Sequence, residues 1–293
     1  MTSNGALLFA HNNHEIDYGL QAVICAKLIK KNLNVPVSIV TDRGTLGWLD
    51  KQNLNYKQVF DHIIFQPILK NISNRKRYYD GSLAYKISNF WNFDRSLSYD
   101  LSPYDKTLVV DTDLLIVNDR LKSIWDADID FMINKTHLDL STDRDNLEFT
   151  RVTDQGIDFV WATAFYFKKT VWTKTFFNLC SHIVENYDFY KFAYQINYPV
   201  VRNDYVFSIA LHMMNGFTNV ALPMNLPASI YYSTDKDELI DIKSDKDFLF
   251  LVQKKDCLGE YEPVKISNQI IHVMNKYSLG RHADTLLKAL QDV

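Results

Sequence analysis

Two carboxylates, Asp111 and Asp113, stand two residues apart inside the run Thr107-Leu-Val-Val-Asp-Thr-Asp-Leu-Leu-Ile-Val117. On an extended chain, side chains at i and i+2 point to the same side. The apolar, β-branched residues on both flanks read as buried strand, where an unpaired carboxylate is costly. A divalent cation held between the two acids keeps both charged. Hard ions such as Mg2+ and Mn2+ prefer carboxylate oxygens and leave positions open for water or substrate phosphates. Asp111-Thr112-Asp113 is therefore a candidate metal–diphosphate site at a strand end. A solvated turn is the competing reading, since Asp is common in turns, and a triplet alone does not decide between them.

The surrounding elements must bring such a site to an edge. Residues 6–10 are apolar and predict a buried first strand, ending in the polar turn at 11–14. Ile16, Leu20, Val23, Ile24 and Leu28 follow at helical spacing, and residues 36–40 predict a second strand. Strand, helix and strand with short links make a βαβ unit, hence a parallel sheet. Ligands of such sheets bind beyond the carboxyl ends of the strands, which puts the 11–14 turn and the acidic triplet on one edge. No Gly-rich phosphate loop is present, which argues against a dinucleotide fold or a P-loop NTPase.

Further along, residues 63–65 suggest a short strand, and 74–79 a solvated loop. A helix is expected from about Ser82, with Leu83, Ile87, Phe90, Trp91 and Asp94 along one stripe and Lys86 beside it. Residues 129–133 and 159–167 predict strands, separated by a polar excursion over 138–156. Trp172, Phe176, Leu179 and Ile183 mark a helix, and Asn203 and Asp204 open another carrying Val206, Ile209, Ala210 and Met213. Strands are expected near 230–232 and 248–252. The segment 270–277 sets His272 after an apolar pair and Lys276 four residues on; a last helix spans about 283–290. Without an internal repeat or linker, 1–293 reads as a single domain.

Composition narrows the function classes. A net charge of −3 gives no overall pull toward nucleic acid. Cys25, Cys180 and Cys257 are too scattered for a disulfide scaffold or zinc knuckle and suit a reducing compartment. The apolar runs are too short to span a membrane, and no signal segment precedes the first strand, so a cytoplasmic α/β protein is expected. Aromatic residues make up 14% of the chain, enough for a core and for a groove that holds bases or sugars. One dense basic–aromatic cluster, Arg75, Lys76 and Arg77 with Tyr78 and Tyr79, has the residue types that hold nucleic-acid phosphates and stack bases.

Taken together, these residues resemble the GT-A fold glycosyltransferases, and among them family 8, the glycogenin and lipopolysaccharide-galactosyltransferase group. There is a further similarity to glycosyltransferases of tailed phages, for which the setting would be the host cytoplasm. The resemblance runs over nearly the whole chain as an order of short motifs. It implies an α/β fold with a Rossmann-like mixed sheet flanked by helices. Asp111, Thr112 and Asp113 match the family's Asp-x-Asp, and His272 stands where a late His completes the metal set, which implies Mn2+ or Mg2+. Lys276 matches a lysine that contacts the diphosphate, although the neighbouring Gly and Lys-Pro-Trp are missing. Ala10, Asn12, Asn13 and Tyr18 resemble the turn and tyrosine that hold the nucleoside. Lys86 resembles a helix lysine that reaches the sugar diphosphate and, with Asp204, would be catalytic. Asn203 and Asp204 resemble an Asp-Gln pair at the donor sugar. Trp161, with Ala162 and Thr163, stands where Asn-x-Gly is usual. The implied activity is metal-dependent transfer of a hexosyl or pentosyl group, with retention, from a nucleotide sugar such as a UDP-sugar to an acceptor hydroxyl. That acceptor is a glycan, a protein or a hydroxymethylated base of phage DNA, with Arg75, Lys76 and Arg77 as the DNA contact. Nucleotidyl transfer and a non-catalytic nucleotide-sugar-binding module are the alternatives.

Overall fold

The computed structural model describes residues 3–66, 74–144, 149–153, 156–198, 200–219, 224–255 and 259–291. Strand β1 (Asn4–Ala10), helix α1 (Tyr18–Leu33) and strand β2 (Val37–Thr41) open the chain. Asp17 caps α1 by accepting from the Leu20 amide, and Lys30 and Lys31 lie in its last turn, where they complement the helix dipole. β1 and β2 pair in parallel from Ala6↔Val37 to Ala10↔Thr41, which is the βαβ unit that the apolar spacing predicts. Helices α2 (Arg43–Lys51) and α3 (Tyr56–Val59) lead to β3 (His62–Phe65), parallel to β2.

Residues 75–89 depart from the sequence expectation of a loop and a helix. β4 (Arg75–Tyr79) and β5 (Tyr85–Asn89) form an antiparallel hairpin, registered from Arg75↔Asn89 to Tyr79↔Tyr85. Gly81 turns it at a φ of +80°, a conformation that side chains with a Cβ rarely adopt. Leu83 and Ile87, on the expected helical stripe, are 79% and 48% exposed. No apolar face is buried there to hold a helix, and a short helix without one is marginal. Lys86 consequently sits on a strand.

After a 3-10 turn at Arg95–Leu97 come α4 (Ser98–Leu101), β6 (Lys106–Val110), β7 (Leu114–Leu115), β8 (Phe131–Ile133), β9 (Leu138–Asp139) and β10 (Ala164–Lys168). The main sheet has the order β3-β2-β1-β6-β10-β8. β6 is parallel to β1, whereas β10 runs antiparallel to both β6 and β8, so the sheet is mixed. The strand expected over 159–167 begins only at Ala164; Phe159 to Thr163 are a buried connection. Of the excursion expected over 138–156, residues 145–148 and 154–155 lie outside the described residues, as does Cys257.

Helices α5 (Val171–Glu185), α6 (Tyr187–Ala193) and α7 (Asn203–Met214) precede β11 (Ile230–Ser233), β12 (Glu238–Ser244), β13 (Asp247–Gln253), β14 (Tyr261–Ser267) and β15 (Ile270–Val273). Helices α8 (Lys276–Arg281) and α9 (Ala283–Ala289) follow. β12, β13 and β14 form an antiparallel meander, and a second sheet has the order β7-β15-β11-β9. Alternation along β1 sends Ala6, Leu8 and Ala10 into one core with α1, and Leu7 and Phe9 into the opposite core with α5 and α7. Phe131, Phe165, Phe167, Phe176, Phe177 and Phe207 fill the second core, which absorbs much of the aromatic content. Thr170 caps α5 in a reciprocal capping box with Thr173. Thr170→Ala is expected to cost about 1 kcal/mol, read as a lower urea midpoint with an unchanged slope.

Candidate active site

Strand order fixes the location of the acidic pair. From β1 the chain steps to β2 and β3 on one side, then returns as β6 on the other. In open α/β sheets the crevice at such a reversal, beyond the carboxyl ends of the strands, is where ligands bind. Asp111, Thr112 and Asp113 follow the carboxyl end of β6 directly. The Leu114 amide donates to the Asp111 carbonyl at 3.1 Å, closing a tight turn, and the Asp111 amide donates to the Thr163 carbonyl at 2.8 Å. β7, just after the turn, pairs antiparallel with β15 in the register His272↔Leu114. That pairing carries His272 to the acids: its Nε2 lies 3.2 Å from Asp113 Oδ2, and Nδ1 lies 3.4 Å from Thr163 Oγ1.

Asp111, Asp113 and His272 each offer a ligand atom, and the three atoms lie within 4.8 Å of one another. Two carboxylates with an imidazole suit a cation such as Mn2+, and half the coordination sphere stays open. Basic side chains also hold these acids. Arg95, itself buried, pairs with Asp111, and its Nη1 donates to the Ala162 carbonyl at 3.2 Å. Lys276, at the start of α8, pairs with Asp113. Burial pushes the Asp113 carboxyl up, but the charges of Lys276 and His272 outweigh it and hold the pKa well below the usual carboxylate range. Burial raises Asp111; Arg95 opposes that rise and the Asp113 charge adds to it. The Lys276 ammonium is a point charge on a flexible stem. It can yield its place on Asp113 to a cation and turn toward a bound phosphate, so the residues fit a divalent ion.

A cavity of about 720 Å3 opens over this centre. Asp111, Thr112, Asp113, His272, Lys276, Tyr18, Trp161, Asn203 and Asp204, all singled out in the sequence, line it. Trp161 stacks on His137 with ring centroids 4.3 Å apart and leaves its indole Nε1 without a hydrogen-bond partner among the described residues. Asp204 has both oxygens engaged: Oδ1 accepts from the Ala162 amide at 2.9 Å, and Oδ2 from Arg202 Nη2 at 3.0 Å. Asn203 donates to the Asn92 carbonyl at 3.4 Å. Tyr18 is buried, its hydroxyl 3.1 Å from that of Tyr78.

Ala10, Asn12, Asn13 and Lys86 are not brought to the cavity wall. Ala10 is fully buried, and its carbonyl accepts from Thr41 Oγ1 at 2.6 Å. Asn12 donates to Asp17 at 2.9 Å and accepts from the Gly19 amide at 2.8 Å. Asn13 donates to the Asn89 carbonyl at 2.7 Å. Both amides thus shape the turn ahead of α1. The Lys86 side chain is 65% exposed and pairs with Glu15 at 2.8 Å. The other strand of its hairpin supplies a lysine instead. Lys76 lines the cavity with its ammonium over the faces of Phe90 and Tyr78, at 5.5 and 5.8 Å from the ring centroids. Arg77 also lines the cavity and Arg75 does not. The basic cluster is therefore part of a concave wall rather than a continuous face for duplex DNA, and contact with DNA is not supported.

Burial, reinforced by Lys276 and Arg202, brings the Lys76 amine down to about 8. Competitive amine acylation followed by mass spectrometry should give Lys76 a labelling midpoint near that value, far below the ~10.4 of an exposed lysine. A midpoint shared with the surface lysines would contradict this placement. Arg95 and Lys76 were not singled out as cavity residues by the sequence. A buried Asp demands a counter-charge, but nothing in the local pattern says which cation will reach it.

Fold and site together define an α/β protein whose mixed sheet is flanked by helices, as expected of a GT-A fold, with a candidate metal–diphosphate centre at the switch point of the sheet. No family model matches the chain, and no curated protein matches it. Among solved structures it is similar to the galactosyltransferase LgtC in complex with donor and acceptor sugar analogs, at 12% identity, 99% of this chain, 96% of that one and a TM-score of 0.47. It is similar to the glycosyltransferase GlyE of Streptococcus pneumoniae TIGR4, at 14% identity, 73% of this chain, 43% of that one and a TM-score of 0.40. The bifunctional protein WbbM gives 12% identity, 80% of this chain, 48% of that one and a TM-score of 0.37. The chain thus spans less than half the length of GlyE and WbbM. The function proposed next rests on the chain's own residues.

Proposed function

We propose that the chain, acting as one catalytic unit, transfers a glycosyl group from a nucleoside-diphosphate sugar to an acceptor hydroxyl with the help of a divalent cation. The observation that carries this reading is the convergence of Asp111, Asp113 and His272, with Lys276 beside them, at the switch-point edge of the sheet under a cavity large enough for a nucleotide sugar. Departure of the donor's nucleotide builds negative charge on the β-phosphate. A Mn2+ or Mg2+ ion held by the two carboxylates and the imidazole would supply Lewis-acid stabilisation of that charge. Lys276, freed from Asp113, adds a preorganised positive charge at the same place. Arg95 holds Asp111 in position and ties it to the 160–162 segment. Asp204 braces the same segment through the Ala162 amide and so positions Trp161 as a flat apolar wall for the donor sugar. Tyr18 and Tyr78 close the wall toward the nucleoside. Retention and a uridine nucleotide are the outcomes that the family resemblance implies.

Screening nucleotide sugars for thermal stabilisation with and without Mn2+ tests the reading, since a ligand of the native state raises apparent stability by mass action. Stabilisation that needs both the sugar nucleotide and the ion, followed by slow release of free sugar, is expected. If every nucleotide sugar fails with both Mn2+ and Mg2+, the proposal is wrong. Pyrophosphate release from a nucleoside triphosphate and a sugar phosphate would replace it with nucleotidyl transfer.

A further inference from the structure

The cavity wall holds more positive charge than the donor requires. Part of the lining is charge-matched: Arg95 with Asp111, Lys276 with Asp113, Arg202 with Asp204, and Arg144 with Asp139 and Asp237. The two positive charges of a divalent ion are likewise balanced by the diphosphate it would bind. Arg77 and four lysines, Lys76, Lys236, Lys254 and Lys255, remain on the wall, and none of the four lysines forms a salt bridge with a described residue. Among the described lining residues, the carboxylate left to face them is Asp235. These lysines come from three separate places: strand β4, the β11–β12 turn and the end of β13. The hairpin turn locks two of the three together, because the Gly81 amide donates to the Asp235 carbonyl at 3.3 Å and the Ser82 amide to Tyr261 Oη at 3.1 Å.

In a chain of net charge −3, such a local excess is not general basicity. Cations gathered along one concave wall without counter-ions focus a positive field into the cavity, which draws in an anion. Lysines bind phosphate as point charges without demanding one planar geometry, and four on flexible stems from three places can follow a phosphate group as it settles. A duplex would need its cations along an exposed face. Here they line a concavity, and Arg75 lies outside it.

We propose that the acceptor is itself phosphorylated: a sugar or sugar-alcohol phosphate whose phosphate lies among Lys76, Lys236, Lys254 and Lys255 while a hydroxyl of the same molecule faces the donor sugar. The inference rests on the transferase reading above. In the transfer step the acceptor oxygen bonds to the anomeric carbon, the bond from that carbon to the diphosphate breaks, and the hydroxyl proton leaves with the departing phosphate. The acceptor's own phosphate takes no part in bond making.

Paired probes test this in the full chain with Mn2+ and the donor that supports turnover: glucose 6-phosphate against glucose, and glycerol 3-phosphate against glycerol. The phosphorylated member of a pair is expected to be used at least tenfold better in kcat/KM. The exposed lysines are then neutralised together as K236Q/K254Q/K255Q, which should bring that ratio toward one, mainly through the acceptor KM. Equal use of both members of each pair, a ratio unchanged in the variant, or preferred glycosylation of nucleic acid would overturn the inference. Donor hydrolysis by the unmodified protein without any acceptor is measured alongside. Its presence with no phosphate preference sinks only the acceptor assignment, whereas its absence with every nucleotide sugar sinks the transferase reading first.

Discussion

Asp113→Ala should abolish metal-dependent turnover of a nucleotide sugar, a loss of at least ~10²- to 10³-fold, the cost of removing one preorganised group from developing charge. Asp113 is the hub of the centre, meeting His272 at 3.2 Å and pairing with Lys276, with a side chain only 2% exposed. Alanine leaves the ion with Asp111 and His272 alone, so Mn2+ affinity should fall with turnover. The fold should persist, because Lys276 is long enough to turn its ammonium into the cavity instead of leaving it buried and unpaired. Turnover and metal titration that match the unmodified protein would remove Asp113 from the reaction. His272→Gln is the milder companion: weaker Mn2+ binding is expected, and an identical titration would make His272 structural.

Arg95→Met should be the most damaging change near the site for stability. Arg95 is buried at 6% exposure and lies against Asp111, whose own burial already disfavours its charge. Removing one member of a buried ion pair leaves an uncompensated charge, and such changes cost about 3–5 kcal/mol. The loss should be partly recovered by Mn2+, because a cation on Asp111 supplies the missing counter-charge. At a hundredfold excess over its dissociation constant, a ligand restores about 2.7 kcal/mol. Chemical denaturation of the variant with and without Mn2+ gives the answer. A variant as stable as the parent, or one that Mn2+ leaves untouched, would mean that Arg95 and the ion do not share Asp111.

The parts of the molecule that were legible in the sequence are those where local pattern and tertiary environment agree. β1, α1 and β2 carry apolar periods that match their burial, and the buried run ending in Asp111 is strand β6. His272 could be suspected from its apolar strand, but its nearness to Asp113 depends on the pairing of β7 with β15, which no local pattern encodes. The hairpin of β4 and β5 was misleading because Leu83, Ile87, Phe90 and Trp91 fall at helical spacing while the turn at Gly81 and cross-strand pairing decide the outcome. The same pairing explains the exchange of lysines: a helix would carry Lys86 to the sheet edge, whereas the hairpin sends it to Glu15 and sets Lys76 over the cavity. The meander around β13 was only partly visible, since β12 and β14 have few buried positions to mark them. With it went the sequence's hint that Lys254 and Lys255 would reach the cavity.

The two-residue strand β7 joins the acidic turn to β15, a strand made long after it. A ribosome-bound chain that has not yet released β15 owns both acids but no imidazole, and its Asp113 has neither of its native partners. Under the proposed function, metal capture and catalytic competence would therefore both wait on β15, so that Mn2+ binding would report whether the chain has closed rather than merely collapsed.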